Sequence, residues 1–94
     1  MTYKLRFKVE AEKEWRKLDS NVKAQFKKKL IERLVIPHVI SDKLSGLPQC
    51  YKIKLRAAGY RLVYQVRDNE LLISVIAVGK RERAQVYKNA IKRI

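Results

Sequence analysis

The chain has one cysteine, one histidine, three glycines and two prolines in 94 residues, and only nine acidic side chains. A lone Cys50 has no intrachain mate, which excludes a disulfide scaffold and fits a reducing compartment. One Cys and one His fall short of an ordinary zinc constellation, and no glycine-rich phosphate loop is present. Neither a metal nor another cofactor is expected. No apolar run approaches the roughly 18 to 20 residues of a membrane span. The opening MTYKLRFKVE alternates charge with apolar residues and lacks the apolar core of a signal peptide. A soluble, cytoplasmic chain with no membrane partner is the expectation.

What the chain has in abundance is positive charge. Its 23 Lys and Arg against 9 Asp and Glu leave a formal net charge of +14, which points to an anionic partner. The length suits one domain spanning residues 1–94. A domain of this size buries only about 60 to 65% of its unfolded surface, so one modest core and no large catalytic pocket are expected.

Periodicity divides the chain into elements. Tyr3, Leu5, Phe7 and Val9 alternate with Lys4, Arg6 and Lys8, as in a strand with one buried face. Ala11, Trp15 and Leu18 then recur at helical spacing. Asp19–Asn21 offer capping oxygens to a second helix whose Val22, Phe26, Leu30 and Leu34 form an i, i+4 stripe, ended by Pro37. The segment from Pro37 to Gln49 reads as an ordered loop pinned by Val39, Ile40, Leu44 and Leu47. Two strands flank AAG, and RDNE makes a turn. LLISVIAVG, apolar on both faces, belongs near the sheet centre. The tail places Ala84, Tyr87, Ile91 and Ile94 on one helical stripe. The order β-α-α-β-β-β-α predicts an α+β fold: a mostly antiparallel four-stranded sheet with helices packed on one face.

The stretch CYKIKLRAAGYRLVYQV combines the best strand pattern with Lys52, Lys54, Arg56 and Arg61. Facing residues of a hairpin share a face, so the two apolar sets predict Ile53 opposite Tyr64 and Leu55 opposite Leu62. That register makes Ala58-Gly59 a two-residue turn, sets Arg56 opposite Arg61 and Lys54 opposite Val63, and brings Arg61 onto the lysine face. A solvated sheet face is one reading of these charges; a bound polyanion is the other. No Asp or Glu occurs from Lys43 to Arg67, whereas a merely soluble face intersperses both signs. The polyanion reading is preferred.

CYKIKLRAAGYRLVYQV, followed by VIAVGKRERAQVY and preceded by EWRKLDSNVKAQFKKKL, resembles the RelE family of bacterial toxin–antitoxin toxins across essentially the whole chain. The resemblance implies a toxin that cuts messenger RNA in the ribosomal A site. It also implies a cognate antitoxin, expected to be acidic, that neutralises the toxin and joins it in a repressor complex on operator DNA. Implied site residues are Lys52 and Lys54 on the first hairpin strand, Arg61 on the second, Arg81 in GKRER and Tyr87 on the last helix. The family favours Lys52 as base and Lys54 as acid or stabiliser. Ser45 stands where close relatives carry an RNA-contacting arginine. Further RNA contacts are expected from Lys27, Lys28, Lys29, Arg56, Lys80 and Arg83.

The chemistry stands on its own argument. Metal-free RNA cleavage uses the ribose 2′-OH as nucleophile, and needs a base, cations for the phosphorane and an acid for the 5′-oxygen. Arginine's planar fork suits the phosphorane, which leaves proton transfer to the lysines. Repulsion lowers a lysine's pKa, yet a lysine base needs further help from neighbouring cations, desolvation or the ribosome itself. The competing reading is a non-catalytic RNA- or DNA-binding module, which has no need of Arg61, Arg81 and Tyr87 beside two lysines. Four other features have blander readings. His38 is incidental in its loop, Trp15 packs in the core, Tyr87 fills a helix stripe, and Lys27–Lys29 form a solvated helix face or touch ribosomal RNA.

Overall fold

Four strands, β1 (Lys4–Phe7), β2 (Cys50–Leu55), β3 (Tyr60–Arg67) and β4 (Leu72–Lys80), form a sheet in the order β1-β4-β3-β2. Three helices, α1 (Val9–Arg16), α2 (Ser20–Val35) and α3 (Gln85–Arg93), accompany it. The computed structural model describes residues 2–94, apart from the side chain of Arg83.

Local chemistry accounts for the first half. The strand pattern ends at Phe7, and Val9 already opens α1. Asp19 caps α2, its carboxylate accepting from the Val22 N–H at 2.9 Å. Val22, Phe26 and Leu30 are buried along one stripe. Trp15 joins them, its ring 5.2 Å from Phe7 and 6.1 Å from Phe26. α2 stops at Val35, two residues ahead of Pro37, which cannot supply the next N–H. In the loop that follows, Leu44 and Leu47 reach the core, whereas Ile40 is solvent-exposed.

The α+β class holds, with two corrections to its details. The sheet is mixed, because β1 lies parallel to β4, while β4–β3 and β3–β2 are antiparallel. The helices also occupy both faces. α1 and α2 cover Ile53, Leu55, Leu62, Tyr64, Val66, Ile73, Val75 and Val78. α3 covers a second cluster on the other face, where Val86 and Ala90 meet Cys50, Val63, Ile76 and Ala77. A bulge between Val63 and Tyr64 turns two successive β4 residues, Ile76 and Ala77, toward this second face. A central strand apolar on both sides must be covered on both sides.

The register of α3 also differs from its sequence pattern. Val86 and Ala90 are the buried positions, while Ile91 and Ile94 are 60% and 45% exposed. The helix begins at Gln85, after Ala84 has taken a left-handed φ of 55°. Val86 then settles over Gly79, where an added Cβ would lie 3.2 Å from the valine Cγ2. Glycine at 79 therefore sets how closely α3 approaches the sheet.

β1 ends opposite Val75, which leaves the next stretch of β4 edge without a strand. Side chains close it. Glu14 accepts from the Val78 N–H at 3.1 Å. Arg93 donates to the Ile76 carbonyl at 2.9 Å and to the two Glu14 carboxylate oxygens at 2.8 and 3.1 Å. This partly buried pair ties α1 and α3 across the edge. Arg93→Ala should cost about 2 kcal/mol, because a charged hydrogen-bonded partner is stranded. Urea unfolding should show a lowered midpoint at unchanged slope; an unmoved midpoint would mean the bridge adds nothing. Beside β1, Leu5, Phe7, Trp15, Leu30, Ile31 and Leu34 line an apolar groove of about 290 Å³.

Candidate nucleic-acid interface

Alternation fixes which residues share the α3 face. On β2, Tyr51, Ile53 and Leu55 point into the α1/α2 core, so Lys52 and Lys54 point the other way. On β3, Leu62, Tyr64 and Val66 enter that same core, which leaves Arg61, Val63 and Gln65 with the lysines. The expected parity is therefore observed, although the pairing is displaced by two residues. Lys54 faces Arg61, Lys52 faces Val63, Ile53 faces Leu62 and Leu55 faces Tyr60.

The turn explains the displacement. It spans the four residues from Arg56 to Gly59, closed by the Gly59 N–H donating to the Leu55 carbonyl at 2.8 Å. Gly59, at φ 72°, is the turn's residue of positive φ. A two-residue hairpin turn built on Ala58-Gly59 needs a positive φ at Ala58, which alanine resists; a longer turn needs it only at its end. A shift of two residues keeps every side chain on its face. It also places Arg61 directly opposite Lys54 and moves Arg56 into the turn.

The cations act on one another. The Lys54 pKa is lowered, first by the charge on Lys52, then by desolvation and by Arg56 and Arg61. The Arg61 guanidinium donates to the Tyr60 carbonyl at 2.9 Å. Arg81 joins at the hairpin tip: its backbone N–H donates to the Gly59 carbonyl at 2.9 Å. Its Nε lies 3.9 Å from where a Cβ on Gly59 would sit. Across β3, Arg61 pairs with Gly79, over which Val86 of α3 rests. Tyr87, the next residue along, is half-buried against the cluster that includes Cys50 and Val63. Lys52, Lys54 and Arg61 thus share one surface, with Arg81 and Tyr87 at its border.

Other candidates lie elsewhere. Lys27, Lys28 and Lys29 are exposed on α2, in the layer across the sheet from the lysine pair. Lys80 pairs with Tyr60 and lines a cleft with Glu14 and Lys17. The Arg83 side chain is outside the described residues. Ser45 is exposed in the loop before β2. His38 sits 3.1 Å from the Asp68 carboxylate and meets the rings of Tyr3 and Tyr51 edge-on. Cys50 is buried, which pushes its thiol up to about 11 and leaves it a poor nucleophile. Among the described residues, no three His, Cys, Asp or Glu side chains gather as metal ligands do.

Sequence reading overlooked Arg33, Glu14 and Arg93. Arg33 is mostly buried and bonded to Asp42, Tyr64 and the Lys52 carbonyl. In the run KKKLIERLV it looks like one more helix cation, and only its i+3 distance from Leu30 places it near the buried stripe.

A cationic sheet face bordered by a tyrosine, on a small α+β scaffold, is a surface suited to a polyanion. Residues 5–85 match the family model described as ParE toxin of type II toxin-antitoxin system, parDE. The chain is 58% identical over 94 residues to mRNA interferase toxin RelE of Escherichia coli (strain K12), covering 100% of this chain and 99% of that protein. The mRNA interferase RelE of Shigella flexneri matches to the same extent, 58% over 94 residues. A variant of E. coli toxin RelE in the free state superposes with a TM-score of 0.93 at 56% identity, covering 100% of this chain and 99% of that one. The toxin of the intact E. coli RelBE toxin–antitoxin complex gives 0.83 at 58% identity, over 86% of this chain and 99% of that one. This chain belongs to the RelE family of type II toxin–antitoxin toxins.

Proposed function

We propose that the protein is an mRNA interferase: a metal-independent endoribonuclease that cuts messenger RNA in the ribosomal A site and so halts translation. The observation that carries this is the meeting of Lys52, Lys54 and Arg61 on one face that receives no acid from the hairpin, with Arg81 and Tyr87 adjoining. Attack by the 2′-OH needs a base, and the lysine pair supplies it. One lysine, in its neutral form, takes the 2′-OH proton as that oxygen bonds to phosphorus, and its charged neighbour gives a proton to the 5′-oxygen as the P–O bond to it breaks. Arg61 and Arg81 donate to the phosphorane oxygens. Tyr87 offers its ring to a base. The exposed cations of α2 suit ribosomal RNA phosphates, and the reaction belongs to the cytoplasm, where ribosomes are.

Incubation with programmed ribosomes, followed by mapping of new RNA ends, tests the reading. Cleavage within the A-site codon supports it; tight binding with intact RNA supports the non-catalytic module instead. The pH profile is a second check. Because the Lys54 pKa is lowered, the neutral fraction of Lys54 grows with pH and saturates below the ordinary lysine range. The single-turnover rate should therefore rise up to about tenfold per pH unit before levelling. A flat profile would remove the lysines from proton transfer.

The toxin's partner is a cognate antitoxin, and the two together act as co-repressor on operator DNA. An acidic antitoxin has a cationic surface to approach and, in the groove beside β1, apolar area to bury. With a net charge of +14, association should slow steeply as salt rises. Stopped-flow mixing across a salt series measures this; a rate indifferent to salt would defeat the electrostatic account.

A further inference from the structure

We propose that Arg33 is a positioning residue for cleavage, holding the unpaired edge of β2 from which Lys52 and Lys54 project. The inference rests on the reading of those lysines as the proton-transfer pair. β2 ends the sheet order, so only one of its edges is bonded to a strand, β3. Its free edge is closed early, where the Leu44 N–H donates to the Cys50 carbonyl at 2.9 Å and Lys43 bridges Tyr51. The next outward carbonyl belongs to Lys52, and Arg33 Nη1 donates to it at 3.3 Å. An edge strand without such partners frays readily, and fraying here would swing both lysines.

The guanidinium is itself well anchored. Nη1 also donates to the Tyr64 hydroxyl at 2.8 Å, and Nη2 to the Asp42 carboxylate at 2.6 Å. The Tyr64 hydroxyl donates onward to the Pro37 carbonyl at 2.7 Å, and the Tyr64 side chain is fully buried. With side chains only 12% and 25% exposed, Arg33 and Asp42 form an internal ion pair. Three acceptors on three segments, the 40–42 turn, β3 and β2, are joined by one planar fork. A lysine, as a single point donor, does not span them. Arg33 is not among the cations that lower the Lys54 pKa, and Asp42 balances its charge. Its influence on the site is geometric.

Arg33→Lys keeps the charge beside Asp42 and loses the fork; Arg33→Met loses both. Each is assayed for single-turnover cleavage at saturating toxin, ribosome affinity at several salt concentrations, and hydrogen exchange across the sheet. Expected is a rate loss of about 10- to 100-fold, the scale of a misplaced reacting group. Ribosome affinity and its salt slope should be retained, with faster exchange confined to Lys52–Leu55. Wild-type rates in both variants would overturn the proposal. So would loss of protection in β3 and β4 together with β2, which is the mark of a general structural role. Should wild-type protein cleave no ribosome-bound RNA, the functional reading falls. The exchange data then still decide whether Arg33 holds the edge: unchanged protection at Lys52–Leu55 refutes it.

Discussion

Replacing Arg61 by alanine should lower the single-turnover cleavage rate by about 10²- to 10³-fold, the loss that follows removal of one pre-aligned donor from a developing oxyanion. The residue lies directly opposite Lys54 on the cationic face. A guanidinium fork can donate to phosphate oxygens in pairs, which an ammonium does not. A second consequence follows for Lys54: with one of its cationic neighbours gone, its lowered pKa moves back up, and less of Lys54 is neutral at a given pH. Arg81→Ala should act similarly, since the Gly59 carbonyl holds the Arg81 backbone at the hairpin tip. Neither change should lower the melting temperature, because each relieves like-charge repulsion in the free protein. Unchanged cleavage with a lower melting temperature would make these arginines structural. This trade of stability against function is common at functional sites.

Tyr87 is the second large effect. A phenol that acts as base at neutral pH must first surrender a proton with an ordinary pKa near 10. A phenol that stacks needs only its ring, worth about 1 to 3 kcal/mol against a nucleobase. The ring's half-buried seat against the second core cluster holds it at the border of the lysine face, which suits a platform. Tyr87→Phe should therefore keep most of the rate, whereas Tyr87→Ala should lose about 10- to 100-fold. Tyr87→Leu separates stacking from support of α3: it retains apolar packing, yet should lose rate as alanine does. Equal, severe losses in phenylalanine and alanine variants would return the hydroxyl to the chemistry. No loss in either would make Tyr87 a core residue.

Much of this was legible along the chain, because periodicity is a local property. The i, i+4 stripe of α2 and its Asp19 cap emerged from spacing alone and are observed. So did the two-sided apolar run of β4 and the parity that sets Arg61 with the lysines. The five candidate site residues came from the resemblance, on motifs that span the chain. What spacing could not decide is anything that depends on a partner distant in sequence. The hairpin pairing moved by two residues because the conformations open to Ala58 and Gly59 chose the turn, a displacement to which alternation is blind. β1 became parallel to β4 through pairing across 68 residues, Lys4 with Leu72. α3 crossed to the second face because Ile76, Ala77 and Val63 required cover there, and its buried stripe became Val86 and Ala90. Arg33 and Glu14 read as ordinary helix charges until folding set them against the Lys52 carbonyl and the Val78 N–H. Side-chain alternation belongs to a strand by itself, but the need to pair an edge and cover a face arises only when distant segments meet.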